Sequence, residues 1–205
     1  MNYPEYLTQS PTPYNWLSTV PKHWGIVRFS YFISFQEGPG ILAVDFRDKG
    51  TPLLRIRNVQ DSYVNPERSN FLEPEMVDKR WSKYKCKVGD LLISCSASTG
   101  LVSKVDNRSE GAIAYTGLIR LWPQNKQITS DFIRWLVVSE LFLTQVSLLQ
   151  TGATMQHYGP EHLCKIRITL PPLLEQQKIA DFLDWKTHQI DTLISKKKQL
   201  IEKLQ

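Results

Sequence analysis

The stretch IRITLPPLLEQQKIADFLDWKTHQIDTLISKKKQLIEKLQ, residues 166–205, passes from one kind of structure to another within a few positions. Residues 165–170 have the composition of a short strand, and the two prolines at 171–172 end it. Beyond them neither glycine nor proline occurs, and the Glu-Gln-Gln run at 175–177 makes a favourable first helical turn. The stretch therefore predicts a strand that leads through two prolines into one long helix.

The predicted helix carries a repeating apolar seam. Steps of four and three residues from Ile179 reach eight positions, of which six are apolar and two, Lys186 and Lys197, are charged. At 1.5 Å per residue such a helix measures roughly 45 Å, more than a small domain covers. We expect a coiled-coil-type helix that needs a partner helix, the alternative being a helix folded back on its own domain. The helix-pairing residues are Ile179, Leu183, Ile190, Leu193, Leu200 and Leu204.

Upstream of this stretch, short β-type segments and helical segments follow one another, which predicts an α/β (α+β) body. Residues 1–25 contain four prolines and predict an extended wrap. Over 130–149 apolar residues recur at three- and four-residue steps, which predicts one amphipathic helix capped by Thr129 or Ser130. A shorter helix is predicted over 73–81. The predicted strands are 51–59, 90–95 and a pair formed by 101–105 with 112–122.

Composition narrows the class of protein before any motif is considered. The 205 residues are 41% hydrophobic and 22% charged, values typical of a folded domain. The densest apolar stretch, at 132–149, is too broken by polar and charged residues for a membrane span, and the N-terminus lacks the apolar segment of a signal peptide. Three widely spaced cysteines suit reduced thiols. We therefore expect a cytoplasmic protein with no membrane partner.

The net charge of +5 matters chiefly through the placement of the basic residues. Residues 79–87, KRWSKYKCK, hold five basic and two aromatic side chains and no acidic one. Lysine and arginine neutralise phosphates, and Trp81 and Tyr84 carry rings that can lie against sugars or bases. The segment predicts either a nucleic-acid contact or a solvated helix end that leads into a strand.

The sequence contains no motif for catalysis or for cofactor binding. The glycine-containing pieces at 37–40 and 98–100 form neither GxGxxG nor a phosphate loop, so no nucleotide or S-adenosylmethionine pocket is indicated. His157, His162 and Cys164 lie close together in sequence, but a structural zinc site needs about four ligands. We therefore expect no catalytic residue, no metal and no cofactor on this chain.

Four segments of the sequence are informative together. They are W-L-S-T-V-P-K-H-W (16–24), G-T-P-L-L-R-I-R-N-V (50–59), V-G-D-L-L-I-S followed by S-A-S-T-G (88–100), and T-G-A-T-M-Q-H-Y (151–158) with 166–184. In their order and spacing they resemble segments of the specificity (S) subunit of type I restriction-modification systems. The first is similar to the opening of many such subunits, the second to one of their strands, and the third to another of their segments. The fourth, which is the most specific, looks like the passage from a recognition domain into a helix, and the resemblance covers nearly the whole chain.

The resemblance implies recognition of DNA without catalysis. Residues 1–170 would form one target recognition domain that reads half of a bipartite site in double-stranded DNA. Residues 171–205 would form one conserved spacer helix, which in the family pairs antiparallel with a second one. Family subunits dock methyltransferase (M) subunits and are joined by a motor-nuclease (R) subunit, so S-adenosylmethionine, ATP and Mg²⁺ are expected on those partners only.

Full subunits of the family carry two recognition domains and two spacer helices. We therefore expect this chain to be either a piece of a longer subunit, which we favour, or a half-length subunit that forms a homodimer. From the residues, two other classes stay open: a free-standing DNA-modifying enzyme and a coiled-coil adaptor. Binding of a cofactor or metal by the chain alone would favour the enzyme, and indifference to duplex DNA would favour the adaptor.

The candidate DNA contacts follow from residue type and predicted position. Loops of small polar residues approach base edges closely, and arginine and lysine reach phosphates. Alternation along the predicted strand 51–59 would place Arg55 and Arg57 on one polar face. The DNA-binding candidates are Arg55, Arg57, Asn58, Lys79, Arg80, Lys83, Tyr84, Lys85, Ser96, Ser98, Thr99, Gln150, Thr151, Thr154, Gln156 and His157.

Overall fold

The computed structural model describes residues 8–60, 62–95, 101–149 and 158–204. Its helices are α1 Phe29–Phe32, α2 Pro74–Met76, α3 Ser130–Leu136, α4 Glu140–Leu149, α5 Pro160–Leu163 and α6 Leu173–Leu204. Its strands are β1 Gln9–Tyr14, β2 Leu17–Pro21, β3 Gly25–Arg28, β4 Ile33–Glu37, β5 Phe46–Arg47, β6 Thr51–Leu54, β7 Ser62–Tyr63, β8 Asn70–Leu72, β9 Leu91–Ser94, β10 Val102–Lys104, β11 Ile113–Ala114, β12 Leu118–Pro123 and β13 Arg167–Leu170. The predicted α/β body followed by one long helix is confirmed.

A sheet with the strand order β4-β12-β9-β10-β7 forms the centre of the body. Its neighbouring strands are antiparallel except for β10 and β7. In β9, Leu91 and Ile93 join one apolar cluster with Phe142, whereas Leu92 joins another with Leu54. Because β9 is buried on both faces, its sequence is continuously apolar, and the strand predicted at 90–95 is confirmed.

A second sheet, with the order β11-β6-β8-β5, encloses its own apolar cluster. Leu53 of β6, Leu72 of β8 and Ile113 of β11 belong to this cluster, and Trp81 packs against them. Trp81 belongs to a π-helical turn that follows α2 directly, so the helix predicted over 73–81 is confirmed. The basic segment 79–87 therefore begins inside a core-packed element.

The N-terminal residues form a hairpin where the sequence predicted an extended wrap. β1 and β2 are antiparallel, and Pro11 lies opposite Thr19 in a two-stranded ribbon. Proline is tolerated there because it can occupy an edge position, where no ladder hydrogen bond is lost. β3 then pairs with β13, so the start of the chain is tied to the strand that precedes α6.

Two further β predictions are wrong. Residues 101–105 and 112–122 do not pair, because β9 lies between β10 and β12, and β11 pairs with β6. The strand predicted over 51–59 ends at Leu54 and gives way to a tight helical turn, Ile56–Asn58. The side-chain oxygen of Asn58 accepts the backbone N–H of Arg55 at 2.8 Å, which competes with continuation of the ladder.

The single helix predicted over 130–149 is two helices, α3 and α4, bent by 61°. Thr129 is the cap of α3, as expected. The break lies at Ser139, whose hydroxyl donates to the Leu136 carbonyl and accepts the N–H of Phe142. Within the described ranges no helix by itself has the length and apolar content of a membrane span; α3 and α4 reach that composition together. Phe132, Ile133 and Val146 pack them into the core.

The long helix α6 is fastened to the body by its first turns. Gln176 is completely buried, and its amide oxygen accepts the Thr129 N–H at 3.0 Å. The amide nitrogen of Gln176 donates to the carbonyls of Gln127 at 2.8 Å and Pro171 at 2.9 Å. One side chain thus satisfies three backbone groups at the start of α6.

Two carboxylates of α6 flank this anchor. Glu175 bonds His23 at 2.7 Å and the indole N–H of Trp24 at 2.9 Å. Asp184 pairs with Arg134 and accepts the indole N–H of Trp135 at 2.9 Å. The docked part of α6 therefore ends near Asp184.

Beyond Asp184 the apolar seam of α6 is largely exposed and is not covered by the described residues of the body. Ile190, Leu193 and Leu200 are 54%, 58% and 58% exposed, and Leu204 is also exposed. Of the six predicted seam residues, Ile179 packs against the body core. The alternative that the whole helix folds back on its own domain is therefore wrong, because the docked contacts stop after its first third.

The anchor leads to a stability prediction. Replacing Gln176 by Ala leaves three buried backbone groups without their partner, so Gln176→Ala should lower the free energy of unfolding by about 2–3 kcal/mol. Gln177→Ala is the matched control, because Gln177 is exposed and bonds only Asp181 within its own helix. Urea denaturation measures both variants. Equal stability of the two would contradict the anchor.

Candidate nucleic-acid interface

A buried arginine fixes the backbone of the basic segment 79–87. Arg120 lies on β12, and its guanidinium donates to the carbonyls of Lys85 and, at 3.5 Å, of Lys83. It also donates to the side chain of Gln36 on β4 at 3.0 Å. The carbonyls of the segment are thereby held towards the body.

Asp90 completes this buried arrangement. Its carboxylate accepts the N–H of Lys87 at 2.8 Å and lies 3.6 Å from Nε of Arg120. Burial raises the pKa of Asp90 above its ordinary value, against the opposite effects of its hydrogen bond and of Arg120. Arg120 and Asp90 thus form a buried ion pair whose two members both bond the backbone of the basic segment. Such a pair contributes little to the net free energy of folding, because desolvation offsets its attraction, but it fixes the position of that backbone.

The side chains of the basic segment divide into free and engaged groups. Lys79, Arg80 and Lys83 are exposed, and the ammonium of Lys83 lies 5.2 Å from the ring of Tyr84. Lys85 pairs with Asp78. Trp81, only 9% exposed, is a core residue, so the expectation that its ring lies against sugars or bases is wrong. Tyr84 is partly buried against the same cluster.

Arg55 packs against two aromatic rings that also contact each other. Its guanidinium carbon is 4.9 Å from the ring centre of Phe46 and 5.3 Å from that of Tyr115. The two rings meet edge to face with their centres 6.3 Å apart, so the guanidinium lies at the corner that they form. Phe46 belongs to β5, and Tyr115 lies in the turn between β11 and β12. The structure thus brings Tyr115 to two residues that are far from it in the sequence.

Arg57 and Asn58 have roles within the fold. Arg57 donates to the carbonyl of Arg68 and to Asn70 at 3.4 Å. Asn58 is buried, and its amide nitrogen donates to the carbonyls of Asn65 at 2.8 Å and Glu67 at 3.2 Å. Because Arg57 lies within the tight turn Ile56–Asn58, it does not share a strand face with Arg55, and that expectation is wrong.

Half of the predicted DNA contacts lie outside the described residues: Ser96, Ser98, Thr99, Gln150, Thr151, Thr154, Gln156 and His157. The described residues next to these two segments are hydrogen-bonded to each other. The N–H of Tyr158 donates to the carbonyl of Cys95 at 3.1 Å, and its hydroxyl donates to the Ser94 carbonyl at 2.7 Å.

Two of the three residues considered as zinc ligands, His162 and Cys164, lie in the described part of the chain. In the part of the chain that the structure describes, no three His, Cys, Asp or Glu side chains are grouped as metal ligands. Nδ1 of His162 accepts the N–H of Gly159 at 3.0 Å, and Cys164 is exposed. His157 lies outside the described residues.

Sequence reasoning missed Arg120, Asp90 and the ring pair around Arg55. Arg120 had a signal, because it is a lone charge inside the apolar run LIRLW of β12. Asp90 likewise stands directly before a fully buried strand. A charge in such a place must find a buried partner.

The described residues form a mixed α/β body with exposed basic side chains, which continues into a long helix whose outer turns are exposed. A family model, the type I restriction modification DNA specificity domain, matches residues 21–203. The chain belongs to this family, which confirms the resemblance found in the sequence.

Individual relatives agree with the family match. The chain is 27% identical over 197 residues to the type I restriction enzyme MjaVIII specificity subunit of Methanocaldococcus jannaschii, covering 91% of this chain and 44% of that protein. It is 29% identical over 161 residues to the EcoKI specificity subunit of Escherichia coli, covering 75% of this chain and 33% of that protein. The chain therefore spans less than half the length of these relatives.

Solved structures share the fold. The HsdS subunit from Thermoanaerobacter tengcongensis matches 85% of this chain and 40% of its own, with a TM-score of 0.64 and 20% identity. A chain from a structure of a type I R-M system, again 20% identical, matches with a TM-score of 0.66 and the same coverage.

The buried pair gives a pH-dependent prediction. Arg120→Met leaves Asp90 buried without its cation and should destabilise the fold by roughly 3 kcal/mol at pH 7. Burial raises the pKa of Asp90, and Arg120→Met removes the charge that opposes this rise, so Asp90 of the variant takes up a proton more readily as the pH falls. The protonated carboxyl leaves no unpaired buried charge. The loss of stability caused by Arg120→Met should therefore shrink between pH 7 and the ordinary aspartate value of 3.8.

The control for this prediction is the double variant Asp90→Asn/Arg120→Met, which carries no buried charge at either position. Its loss of stability at pH 7 should be smaller than that of Arg120→Met and should not depend on pH in this way. Urea denaturation at pH 4.5 and 7 compares them. A loss for Arg120→Met that is the same at both pH values would contradict the role of Asp90.

Proposed function

We propose that this chain recognises DNA for a type I restriction-modification complex and catalyses no reaction itself. Residues 1–170 act as one target recognition domain that reads one half of a bipartite target in double-stranded DNA. Residues 171–205 act as a spacer helix. The observation that carries the proposal is the match to a DNA specificity domain over 21–203, which includes both parts.

The basic segment supplies the electrostatic part of recognition. Arg120 and Asp90 hold its backbone, which leaves the ammonium and guanidinium groups of Lys79, Arg80 and Lys83 in solvent. Flexible cationic side chains on a fixed backbone suit phosphates, whose contacts position a protein on DNA without specifying sequence. Tyr84 and Lys85 border the same surface.

The chemistry belongs to other subunits in this proposal. The chain docks a methyltransferase subunit, and a motor-nuclease subunit joins the full complex. S-adenosylmethionine, ATP and Mg²⁺ are then used by those partners. The support is the absence from the sequence of a phosphate loop and of a GxGxxG motif, together with the family match.

Salt dependence tests the DNA-binding part. The wild type should bind duplex DNA with an affinity that falls steeply with salt, since each phosphate contact contributes about 0.9 to the slope of log K against log salt. Lys79→Glu/Lys83→Glu should weaken binding to every duplex and lower that slope by about 1.8. Fluorescence anisotropy across a salt series measures both quantities.

The matched control is Lys126→Glu/Lys165→Glu, which makes the same charge change at two exposed lysines outside the segment. It should retain the wild-type slope. A wild type whose binding ignores salt, or equal losses in the two double variants, would contradict a phosphate-contacting role of this segment and favour the coiled-coil adaptor.

We further propose that two copies of this chain pair antiparallel through α6 and so rebuild a two-domain specificity unit. The support is the half-exposed seam beyond Asp184, which includes Ile190, Leu193 and Leu200. Burying apolar area is worth about 25 cal/mol per Å². An antiparallel pair places the two bodies at opposite ends and sets Lys186 and Lys197 against different neighbours.

Sedimentation tests the pairing. The wild type should be a dimer at high micromolar concentration, and Leu200→Glu should weaken association at least about tenfold, because a buried leucine becomes a charge in both copies. Gln199→Glu introduces the same side chain at an exposed position outside the seam and should dimerise normally. A strictly monomeric wild type would overturn the proposal.

A further inference from the structure

We propose that Arg55 is a specificity-determining residue that reads a guanine in the major groove of the DNA half-site. This inference rests on the proposed function and goes beyond it by naming a base and the side chain that selects it. It starts from the contacts of the Arg55 guanidinium.

The guanidinium of Arg55 donates no hydrogen bond to a described residue, and no described carboxylate pairs with it. Three other arginines of the body are engaged: Arg108 pairs with Asp106, Arg120 with Asp90, and Arg57 bonds a carbonyl. The Nε atom of Arg55 is buried and has no hydrogen-bond partner among the described residues. Arg55 as a whole is only partly buried, and its two terminal nitrogens donate no hydrogen bond within the described ranges, so they are the groups left for an external ligand.

The two rings that Arg55 packs against are themselves fixed. The Tyr115 hydroxyl donates to the carbonyl of Ile41 at 3.1 Å, and the backbone N–H of Tyr115 donates to the carbonyl of Leu54 at 2.9 Å. Phe46 lies on β5 opposite Leu72, and its ring meets that of Tyr115 edge to face. A guanidinium packed against such rings loses little freedom when it forms further hydrogen bonds.

A planar fork with open terminal nitrogens fits a ligand with two acceptors side by side. DNA offers two of these: the O6 and N7 atoms of guanine and the oxygens of a phosphate. The segment that leads into β5 favours the base. Its Leu42 and Val44 are 72% and 76% exposed, and apolar side chains suit base edges and thymine methyl groups, not phosphates.

The division of labour supports the same choice. The exposed lysines of 79–87 have flexible stems that can follow the DNA backbone, whereas the guanidinium of Arg55 packs against two rings and has a more restricted position. Fixed side chains give discrimination between bases, and mobile cations give affinity. Arg55 therefore belongs with the base-reading groups.

The test is selection of duplexes from a randomised library by the full chain. The wild type should enrich a motif with a fixed guanine, and Arg55→Lys, which keeps the charge but loses the fork, should enrich the motif with that position relaxed. Discrimination there should fall on the order of tenfold or more. Arg28→Lys is the control, because Arg28 is exposed beside a single ring, that of Tyr31, and should retain the motif.

A second measurement uses the unaltered protein. Replacing the fixed guanine by 7-deazaguanine removes the N7 acceptor and should weaken binding of the wild type, with no further loss in Arg55→Lys. If Arg55 instead contacts a phosphate, Arg55→Gln lowers the salt slope by about 0.9 and weakens all duplexes equally, which overturns the inference.

The outcomes separate the inference from the proposed function. A wild type that enriches no sequence contradicts the proposed function and this inference with it. A wild-type motif that Arg55→Lys enriches unchanged, or in which 7-deazaguanine is tolerated at every guanine, overturns the role of Arg55 and leaves the proposed function standing.

Discussion

The buried amide of Gln176 sets the architecture of this chain. It satisfies the Thr129 N–H and the Gln127 and Pro171 carbonyls at the point where α6 leaves the body. Such a side chain cannot be moved without leaving buried polar groups unpaired, so the direction of the helix is fixed there. Because the body covers α6 only to Asp184, the remaining turns extend with their seam exposed. A rigid exit and an uncovered seam suit the spacer-helix role that we propose for α6.

Buried polar side chains also hold the proposed DNA surface in place. Among the described residues, Arg120 and Asp90 are the charged groups that the body buries, and both bond the backbone of the basic segment. The exposed lysines next to them stay in contact with solvent. Burial thus divides the cations of the body into those that hold the fold and those that the proposed function assigns to DNA. Arg55 is intermediate, because it is partly buried against two rings and has no carboxylate partner among the described residues.

What the sequence could predict was local or modular. The long helix and β9 were predictable because a seam of period 3.5 and a continuous apolar run are visible within short windows. The break at Ser139 and the turn at Asn58 were not, because one side-chain hydrogen bond outweighed the periodicity around it. The burial of Trp81 and the packing of Arg55 against Phe46 and Tyr115 depend on strand neighbours far apart in the chain. Long-range sheet order, which no local pattern encodes, decided which basic residues remain available.

In the proposed function the body contacts DNA while the projecting part of α6 binds a partner helix. Amide hydrogen exchange with mass spectrometry, on the chain at one concentration with and without duplex DNA, tests this division most directly. We expect slower exchange over 79–87 and around Arg55 when DNA is present, and unchanged exchange over 185–204. Slower exchange confined to 185–204, with the body unaffected by DNA, would contradict it.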